Sequence, residues 1–232
     1  MVKIIEQYSK VLEKAILFRD IDPLNIENMV SCLKPRIERF KKYDFITMAG
    51  NEFKELGIIL EGEAIVIKEN AAGNRVIMMS LKPGNMFGEM VVFSGMGKWP
   101  ATVQAQRDCT VFFLSKSKII GECHNICPWH KQMIQNMLKI TSVRALKLNK
   151  QVEYLTIKSM RGKLCTYILE QYNQCNKKTF ELPLKRNELA DYLNVSRPSM
   201  SREMGRMRDE GLIDFYKSTV KILDIDGLKS FV

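Results

Sequence analysis

Long apolar runs are absent from this 232-residue chain, which bears on where the protein acts. The amino-terminal segment MVKIIEQYSKVLEKAILFRD interrupts its apolar residues with charged ones, so it lacks the continuous core of a signal peptide. No other segment approaches the length of a membrane span. The six cysteines follow no regular spacing, which fits a reducing cytosol better than a disulfide framework. We expect a cytoplasmic protein without a membrane partner.

Sequence motifs of the common enzyme classes are also missing. The chain has no Gly-x-Ser-x-Gly nucleophile turn, no phosphate-binding P-loop and no glycine-rich dinucleotide turn. Glu89 has no evident histidine or carboxylate partner for acid–base chemistry. We therefore expect a protein that binds its targets and is not an enzyme.

The segment LPLKRNELADYLNVSRPSMSREMGRMRDEGLI, residues 182–213, predicts two short helices joined by a turn. Apolar residues at helical spacing place the first helix at about Arg186 to Leu193, and Asn194 supplies the turn. Ser196 can cap the second helix, and Pro198 falls in its first turn, where a missing N–H costs little. This is the outline of a DNA-binding helix-turn-helix.

The second helix is expected to have an inner and an outer face. Its methionines face inward: Met200, Met204 and Met207. Its outward amino-terminal residues are the predicted base readers, since that part of a recognition helix meets base edges in the major groove: Arg197, Pro198, Ser201 and Arg202. The segment FYKSTVKIL, residues 215–223, predicts a small wing. Predicted phosphate contacts, which position a protein without reading sequence, are Ser196, Ser199, Lys217, Ser218 and Thr219.

Uneven charge favours DNA binding over the alternative of an ordinary helical hairpin with solvated arginines. Residues 126–232 contain 19 Lys and Arg against 11 Asp and Glu, a net charge of +8. Residues 1–125 contain 17 against 15, a net charge of +2. Most of the formal charge of +10 therefore lies in the half with the helix-turn-helix, as suits a polyanionic partner.

Short β-rich runs separated by glycine extend from about Phe40 to Leu114. This spacing is typical of a sandwich or jelly roll, with a hairpin loop at Asn70 to Asn74. An amphipathic helix is predicted beside it, from Ile4 to Phe18.

A long helix, roughly His130 to Leu155, is predicted between the two regions. Apolar and small residues recur along it in alternating steps of four and three, which predicts a parallel coiled-coil homodimer: Ile134, Leu138, Thr141, Ala145, Leu148, Val152 and Leu155. The alternative is one helix that covers the core of its own domain. A hinge is expected at Thr156 to Ser159, followed by a helix from Met160 to Gln171.

With LEGEAIVIKE, LKPGNMFGEM, PATVQAQ and NVSRPSMSRE, the chain resembles the CRP/FNR family of bacterial regulators along nearly its whole length. The resemblance implies an α+β protein: a jelly-roll effector barrel at 1–125, a dimerisation helix at 126–157 and a winged helix-turn-helix at 158–232. It implies a homodimeric transcription factor on a palindromic double-stranded operator, with RNA polymerase as a partner and a small molecule in the barrel as effector. Pro198 stands where many members carry glutamate, but Arg202 should still favour guanine.

The effector cassette departs from the cyclic-nucleotide pattern of the family. Gly88 and Glu89 match, but Trp99 and Pro100 replace an arginine–serine pair, so no guanidinium is present to meet a cyclic phosphate. Lys98 is expected to point away. We predict that cyclic AMP is not the effector and that the pocket is apolar or filled; its predicted residues are Phe87, Gly88, Glu89, Met90, Trp99, Pro100, Leu148 and Asn149. The alternative is a cyclic-nucleotide-binding module that signals through protein partners.

Four soft ligands lie close together in GECHNICPWHKQ: Cys123, His124, Cys127 and His130. They could bind zinc, an iron–sulfur cluster or haem, but their spacing matches no standard zinc finger. The family's oxygen sensors carry their cluster cysteines largely at the amino terminus, where this chain has only Cys32. We predict no metal here, with a metal- or redox-sensing regulator that uses Cys123 and Cys127 as the alternative.

Overall fold

The computed structural model describes residues 2–70, 72–121 and 128–232, which divide into two units, Met1–Val143 and Arg144–Val232. The first unit begins with α1 (Val2–Lys14), a short 3-10 turn (Ile16–Phe18) and α2 (Pro23–Leu33). The single helix predicted over residues 4–18 therefore ends earlier, at Lys14, and α2 was not predicted.

Helix α2 did have a sequence signal. Asp22 caps it by accepting a hydrogen bond from the Leu24 N–H at 3.0 Å, with Pro23 in its first turn. Its buried residues recur at the spacing of one helical face: Ile26, Met29, Val30 and Leu33. The chain leaves the helix at Lys34, whose φ of 47° ends the regular backbone.

Two four-stranded antiparallel sheets form the jelly roll that the glycine-separated runs predict. The strands are β1 (Arg36–Phe40), β2 (Phe45–Thr47), β3 (Glu55–Glu61), β4 (Ala64–Glu69), β5 (Arg75–Leu81), β6 (Met86–Phe87), β7 (Thr102–Ala105) and β8 (Cys109–Ser115). Their orders are β1-β8-β3-β6 and β2-β7-β4-β5. The predicted loop between β4 and β5 is confirmed, since the Asn70 carboxamide accepts from the N–H of Ala72 at 3.0 Å and of Asn74 at 2.9 Å.

Strand β8 is buried on both faces. Val111 and Phe113 face the core between the two sheets, whereas Phe112 and Leu114 face a second core with the amino-terminal helices. The two-residue period of a strand sends alternate side chains into opposite cores. The continuous apolar run VFFL is therefore a central strand.

The helices that follow are α3 (Glu89–Ser94), α4 (Lys116–Ile120) and the long α5 (Pro128–Thr156). The predicted long helix is confirmed with two residues added at its start and one at its end. One face covers its own unit's core, through buried Met133, Met137 and Ile140. The Asn136 carboxamide donates to the carbonyls of Leu17 at 3.0 Å and Arg19 at 2.7 Å, which fixes the helix against the 3-10 turn.

The second unit contains α6 (Met160–Cys175), β9 (Thr179–Glu181), α7 (Arg186–Leu193), α8 (Arg197–Asp209), β10 (Ile213–Tyr216), β11 (Thr219–Ile222) and α9 (Ile225–Lys229). The predicted first helix of this region starts at Met160 as expected but continues past Gln171 to Cys175. Strands β10, β11 and β9 form an antiparallel sheet in that order, so the fold is a winged helix-turn-helix. Among the described residues, no helix combines the length and apolarity that crossing a membrane requires.

Candidate nucleic-acid interface and effector barrel

The turn between α7 and α8 forms as its local chemistry predicts. Asn194 ends α7 in the left-handed region, with φ 51°, which asparagine tolerates better than most residues. Ser196 then caps α8 by accepting from the Ser199 N–H at 3.4 Å, and Pro198 lies in the first turn. The predicted bounds of α7 and the predicted Ser196 cap are confirmed.

Helix α8 is anchored by its methionines and presents the opposite face to solvent. Met200, Met204 and Met207 are at most 1% exposed and pack against α6 and α7 residues in one core. The predicted base readers are all exposed on the outer side of the helix: Arg197, Pro198, Ser201 and Arg202. This arrangement brings the predicted reading face together on a rigid support.

Two serines begin this face at the helix amino terminus. The Ser199 hydroxyl accepts hydrogen bonds from Ser196 at 2.7 Å and from the Arg202 guanidinium at 3.3 Å, and its own proton remains to donate outward. Backbone N–H groups and the helix dipole also favour an anion at such an end. The Ser199 hydroxyl therefore suits a phosphate contact. The Ser196 hydroxyl donates its single proton to Ser199, so this geometry does not support its predicted phosphate contact.

The wing is the β10–β11 hairpin, closed by Lys217 and Ser218. Lys217 and Thr219 are exposed at its tip and can donate to phosphate. Ser218 is partly buried, and its hydroxyl donates to the Glu181 carboxylate at 2.7 Å. Because a hydroxyl has one proton, the geometry assigns Ser218 to anchoring the turn and corrects its predicted role as a phosphate donor.

Three buried or half-buried cations hold this unit together, and sequence analysis missed all of them. Lys163, 8% exposed, donates to the Leu193 carbonyl at 3.0 Å and so satisfies the end of α7. Arg161 pairs with Glu203 on α8 and with Glu210 just after it, each at 2.6 Å, and these carboxylates raise its pKa. Arg186 donates to the Lys217 carbonyl at 3.2 Å, and burial lowers its pKa.

Tyrosines hold the carboxyl-terminal end of α5 against α6 and α7. Tyr154 is 1% exposed and donates to the Glu170 carboxylate at 2.5 Å. The Tyr192 ring lies 5.3 Å from that of Tyr154 and 5.9 Å from that of Tyr167. Burial, with the nearby Glu170 charge, raises the pKa of Tyr154 well above its ordinary value, and burial raises the pKa of Tyr167 to about 12.

Aromatic rings pack around Trp99 in the core between the two barrel sheets. This side chain is 7% exposed, and its ring lies 4.8 Å from that of Phe53 and 6.3 Å from that of Phe87. A Cβ at Gly88 would lie 2.2 Å from the Phe53 ring, so glycine lets that ring approach the backbone. Phe53 lies far from the Gly-Glu pair in sequence and was not predicted.

The predicted effector residues occupy different environments. Glu89, 1% exposed, is the first residue of α3, where the helix dipole stabilises its carboxylate. Met90 is 56% exposed, so it does not line the aromatic interior and its predicted role is corrected. Pro100 is exposed and lines a surface cavity of the barrel with Phe45 and Thr102, apart from the aromatic residues around Trp99. Leu148 and Asn149 are exposed on α5 in the second unit. The Lys98 backbone forms an isolated antiparallel β-bridge with residue 52, and its side chain is exposed, which agrees with the expectation that it points away.

The predicted dimer seam is the face of α5 that its own core leaves in solvent. Leu138 is 63% exposed, Leu148 54% and Val152 57%. Leu155 and Ala145 are also exposed, while Ile134 and Thr141 are half-buried. Met133, Met137 and Ile140 cover the core from another face of the helix. Helix α5 therefore has both an exposed apolar face, as a coiled-coil seam requires, and a face that covers the core of its own unit.

The predicted cysteine–histidine cluster lies largely outside the described residues, since these exclude Cys123, His124 and Cys127. The His130 Nε2 lies 2.7 Å from the Ile119 carbonyl oxygen, which gives the ring a hydrogen-bond partner. Within residues 2–70, 72–121 and 128–232, no group of three or more His, Cys, Asp and Glu side chains could hold a metal ion.

Comparison with known proteins gives matches in both units. Residues 37–125 match the cyclic nucleotide-binding domain and residues 162–231 the Crp-like helix-turn-helix domain. The cAMP-activated global transcriptional regulator Vfr of Pseudomonas aeruginosa is 21% identical over 79% of this chain and 87% of its own length. The anaerobic regulatory protein of Bacillus subtilis is 20% identical over 80% of this chain and 78% of its own length.

The fold is shared with solved structures. The Thermus thermophilus catabolite activator protein matches 94% of this chain and 98% of its own with a TM-score of 0.54 at 19% identity. The similar proteins are transcription factors and not enzymes. A cyclic nucleotide-binding domain at 37–125 and a Crp-like helix-turn-helix domain at 162–231, joined by a long helix, make this chain a CRP/FNR-type transcriptional regulator.

Proposed function

We propose that the protein is a cytoplasmic homodimer that binds a palindromic double-stranded operator, works with RNA polymerase and responds to a small effector in its barrel. The observation that carries this proposal is the outer face of α8, where Arg197, Ser201 and Arg202 are exposed on a helix fixed by buried methionines. A rigid helix of this kind can enter a major groove without rearrangement of its own domain.

Dimerisation is supported by the exposed apolar seam on α5. A parallel pairing of two such helices would bury Leu138, Leu148 and Val152, which are each more than half exposed in the single chain. A two-fold axis along this seam would also present two recognition helices to two half-sites.

Replacement of Arg202 tests the proposed readout. Its guanidinium contacts Ser199 at 3.3 Å on the surface, so Arg202→Ala should leave the fold intact. We expect specific binding to weaken by about 1–3 kcal/mol per half-site, with relaxed preference at one base pair. Fluorescence anisotropy on operator and random duplexes measures both effects.

The matched control is Lys217→Ala in the wing. This variant should weaken binding to all duplexes alike and reduce the salt slope by about one per half-site, because phosphate contacts carry no sequence information. If Arg202→Ala instead weakens operator and random duplex equally, the reading face is wrongly assigned. If the unaltered protein shows no operator preference, DNA regulation itself is contradicted.

The effector that we propose is uncharged or aromatic and is not a cyclic nucleotide. Burial of a cyclic phosphate is costly unless a cation or several donors replace its hydration, and Trp99 occupies the position that the arginine would hold. The Glu89 carboxylate would add like charge. The Trp99 indole N–H is buried with no acceptor among the described residues, so an effector with a hydrogen-bond acceptor could satisfy it.

Calorimetric titration with cyclic AMP and cyclic GMP tests the effector class. We expect neither to bind at micromolar concentration to the purified dimer. Micromolar binding of either nucleotide would contradict the proposal and require another cation near Glu89. With either result, mass spectrometry of small molecules carried by the natively purified protein would identify the ligand that the barrel binds.

A further inference from the structure

The tip of the wing has an unfavourable backbone conformation. Lys217 has a φ of 52°, in the left-handed region that glycine occupies without strain and that lysine rarely adopts. Such a residue keeps this conformation only where its surroundings hold it. Since two-residue hairpin turns often use glycine at such positions, a lysine here needs a reason.

Contacts on both sides hold this turn. The Arg186 guanidinium donates to the Lys217 carbonyl at 3.2 Å. The next residue, Ser218, accepts from the Leu182 N–H at 2.9 Å through its carbonyl and donates to Glu181 through its hydroxyl. The turn is therefore held by Arg186 on one side and by β9 on the other.

Arg186 is itself fixed in place. It is the first residue of α7, so its backbone belongs to the helix-turn-helix and not to the wing. Its guanidinium carbon lies 5.1 Å from the centroid of the Phe215 ring on β10, a distance at which a cation is attracted to an aromatic face. The side chain is half-buried between these elements. It is thus a rigid connection from α7 to the wing.

The held turn presents the Lys217 ammonium to solvent. Lys217 is exposed, and its Nζ lies 5.3 Å from the centroid of the exposed Tyr216 ring. Ordering a mobile residue on binding costs conformational entropy and lowers affinity, whereas a residue that is already ordered in the free protein adds no such cost. A lysine on a fixed turn therefore meets a phosphate at a smaller entropic cost than one on a mobile tip.

We propose that Arg186 is a positioning residue for DNA binding, which holds the wing turn so that Lys217 meets the DNA backbone. The inference rests on the proposed function, because it names how one predicted phosphate contact is prepared. Arg186 acts through the Lys217 carbonyl and does not itself contact DNA. Removal of either residue should therefore abolish the same contact.

A double-mutant cycle on the full-length protein separates this role from a direct one. Arg186→Met keeps an aliphatic side chain beside Phe215 but removes the donors, and Lys217→Ala removes the ammonium while keeping a Cβ at the strained position. We expect each single variant to reduce the slope of log K against log salt by about one per half-site. The double variant should show the same reduction as either single one.

The control is Lys221→Gln, which removes one charge from exposed β11 without touching the turn. The reduction in salt slope caused by Lys221→Gln should add to the reduction caused by Lys217→Ala. Additive losses for Arg186→Met with Lys217→Ala would overturn the inference, since Arg186 would then contact DNA directly or act only through charge. If Arg186→Met is unstable, Arg186→Gln is used instead, and its loss is expected to be non-additive with that of Lys217→Ala in the same way.

Hydrogen exchange in the free protein gives a readout that does not depend on DNA. In Arg186→Met we expect the Leu182 amide, bonded to Ser218, to exchange at least several-fold faster. The Val195 amide, bonded to Ala190 in the helix-turn-helix, should be unchanged. Unchanged exchange at Leu182 would contradict the positioning role even if the protein binds its operator. Absence of operator binding with faster exchange would contradict only the proposed function.

Discussion

At the scale of single residues, Tyr154 shows how one buried hydroxyl joins two helices. Its proton is donated to Glu170 on α6, while its ring contacts those of Tyr167 and Tyr192. Burial raises the pKa of Tyr154, and Glu170 raises it further, because deprotonation would place two negative charges in contact at a buried site. The protonated phenol is therefore part of the folded structure.

We expect Tyr154→Phe to lower the free energy of unfolding by about 1–3 kcal/mol at neutral pH, because a hydrogen bond to a charged group is lost. The folded-state pKa values of Tyr154 and Tyr167 lie above the unfolded value of about 10. The contribution of the two tyrosines to the free energy of unfolding is therefore complete below a pH of about 10. It is lost as the pH rises from there through their folded-state pKa values. Urea unfolding from pH 8 to 11 should show a smaller alkaline loss in Tyr154→Phe than in the unaltered protein; equal losses would contradict the assignment.

At the scale of elements, α5 has to satisfy two packing demands at once. Its amino-terminal half buries Met133, Met137 and Ile140 in the first unit, and Tyr154 is buried in the second. The seam of Leu138, Leu148 and Val152 stays exposed between these anchors. An exposed apolar stripe of this length on a fixed helix is typical of a protein–protein interface.

Charging the seam should separate the proposed dimer. Leu148→Glu would bury two unpaired carboxylates at the interface, so sedimentation should show a monomer. Leu146→Glu is the matched control, because Leu146 is 67% exposed, receives the same substitution and lies off the seam. An intact dimer with Leu148→Glu, or a monomer with both variants, would count against this helix face as the interface.

At the scale of the whole molecule, charge and symmetry determine the kind of DNA site. The half of the chain with the winged helix-turn-helix has a net charge of +8 and the other half +2, so phosphate attraction is concentrated in one part of each protomer. A two-fold dimer would carry two such parts to one face of the duplex.

We therefore expect operator spacing to be strict. Half-sites read by a two-fold dimer lie about one helical turn, or roughly 34 Å, apart. Insertion of about five base pairs between them should turn one half-site to the opposite face of the duplex and reduce affinity to that of a single half-site. Equal binding to both spacings in an anisotropy assay would indicate that the protomers bind independently.

The sequence by itself determined those features whose causes are local. The bounds of α7, the Ser196 cap, the inward methionines and the hairpin at Asn70 to Asn74 all follow from helical periodicity, capping and turn chemistry within a few residues. The motifs that resemble the CRP/FNR family predicted the order of the barrel, the long helix and the winged helix-turn-helix. The first helix was predicted too long and α2 was missed, although its apolar spacing and Asp22 cap were readable.

Only the tertiary structure decided which distant side chains meet. Arg186 reaches Lys217 across 31 positions, Tyr154 reaches Glu170 across 16, and Trp99 packs on Phe53, none of which has a periodic signature. It also placed Met90 in solvent and tied Ser218 to Glu181, so two predicted site residues changed their roles. The physical reason is that capping and periodicity act along the chain, whereas burial and ion pairing depend on which surfaces the finished fold brings into contact.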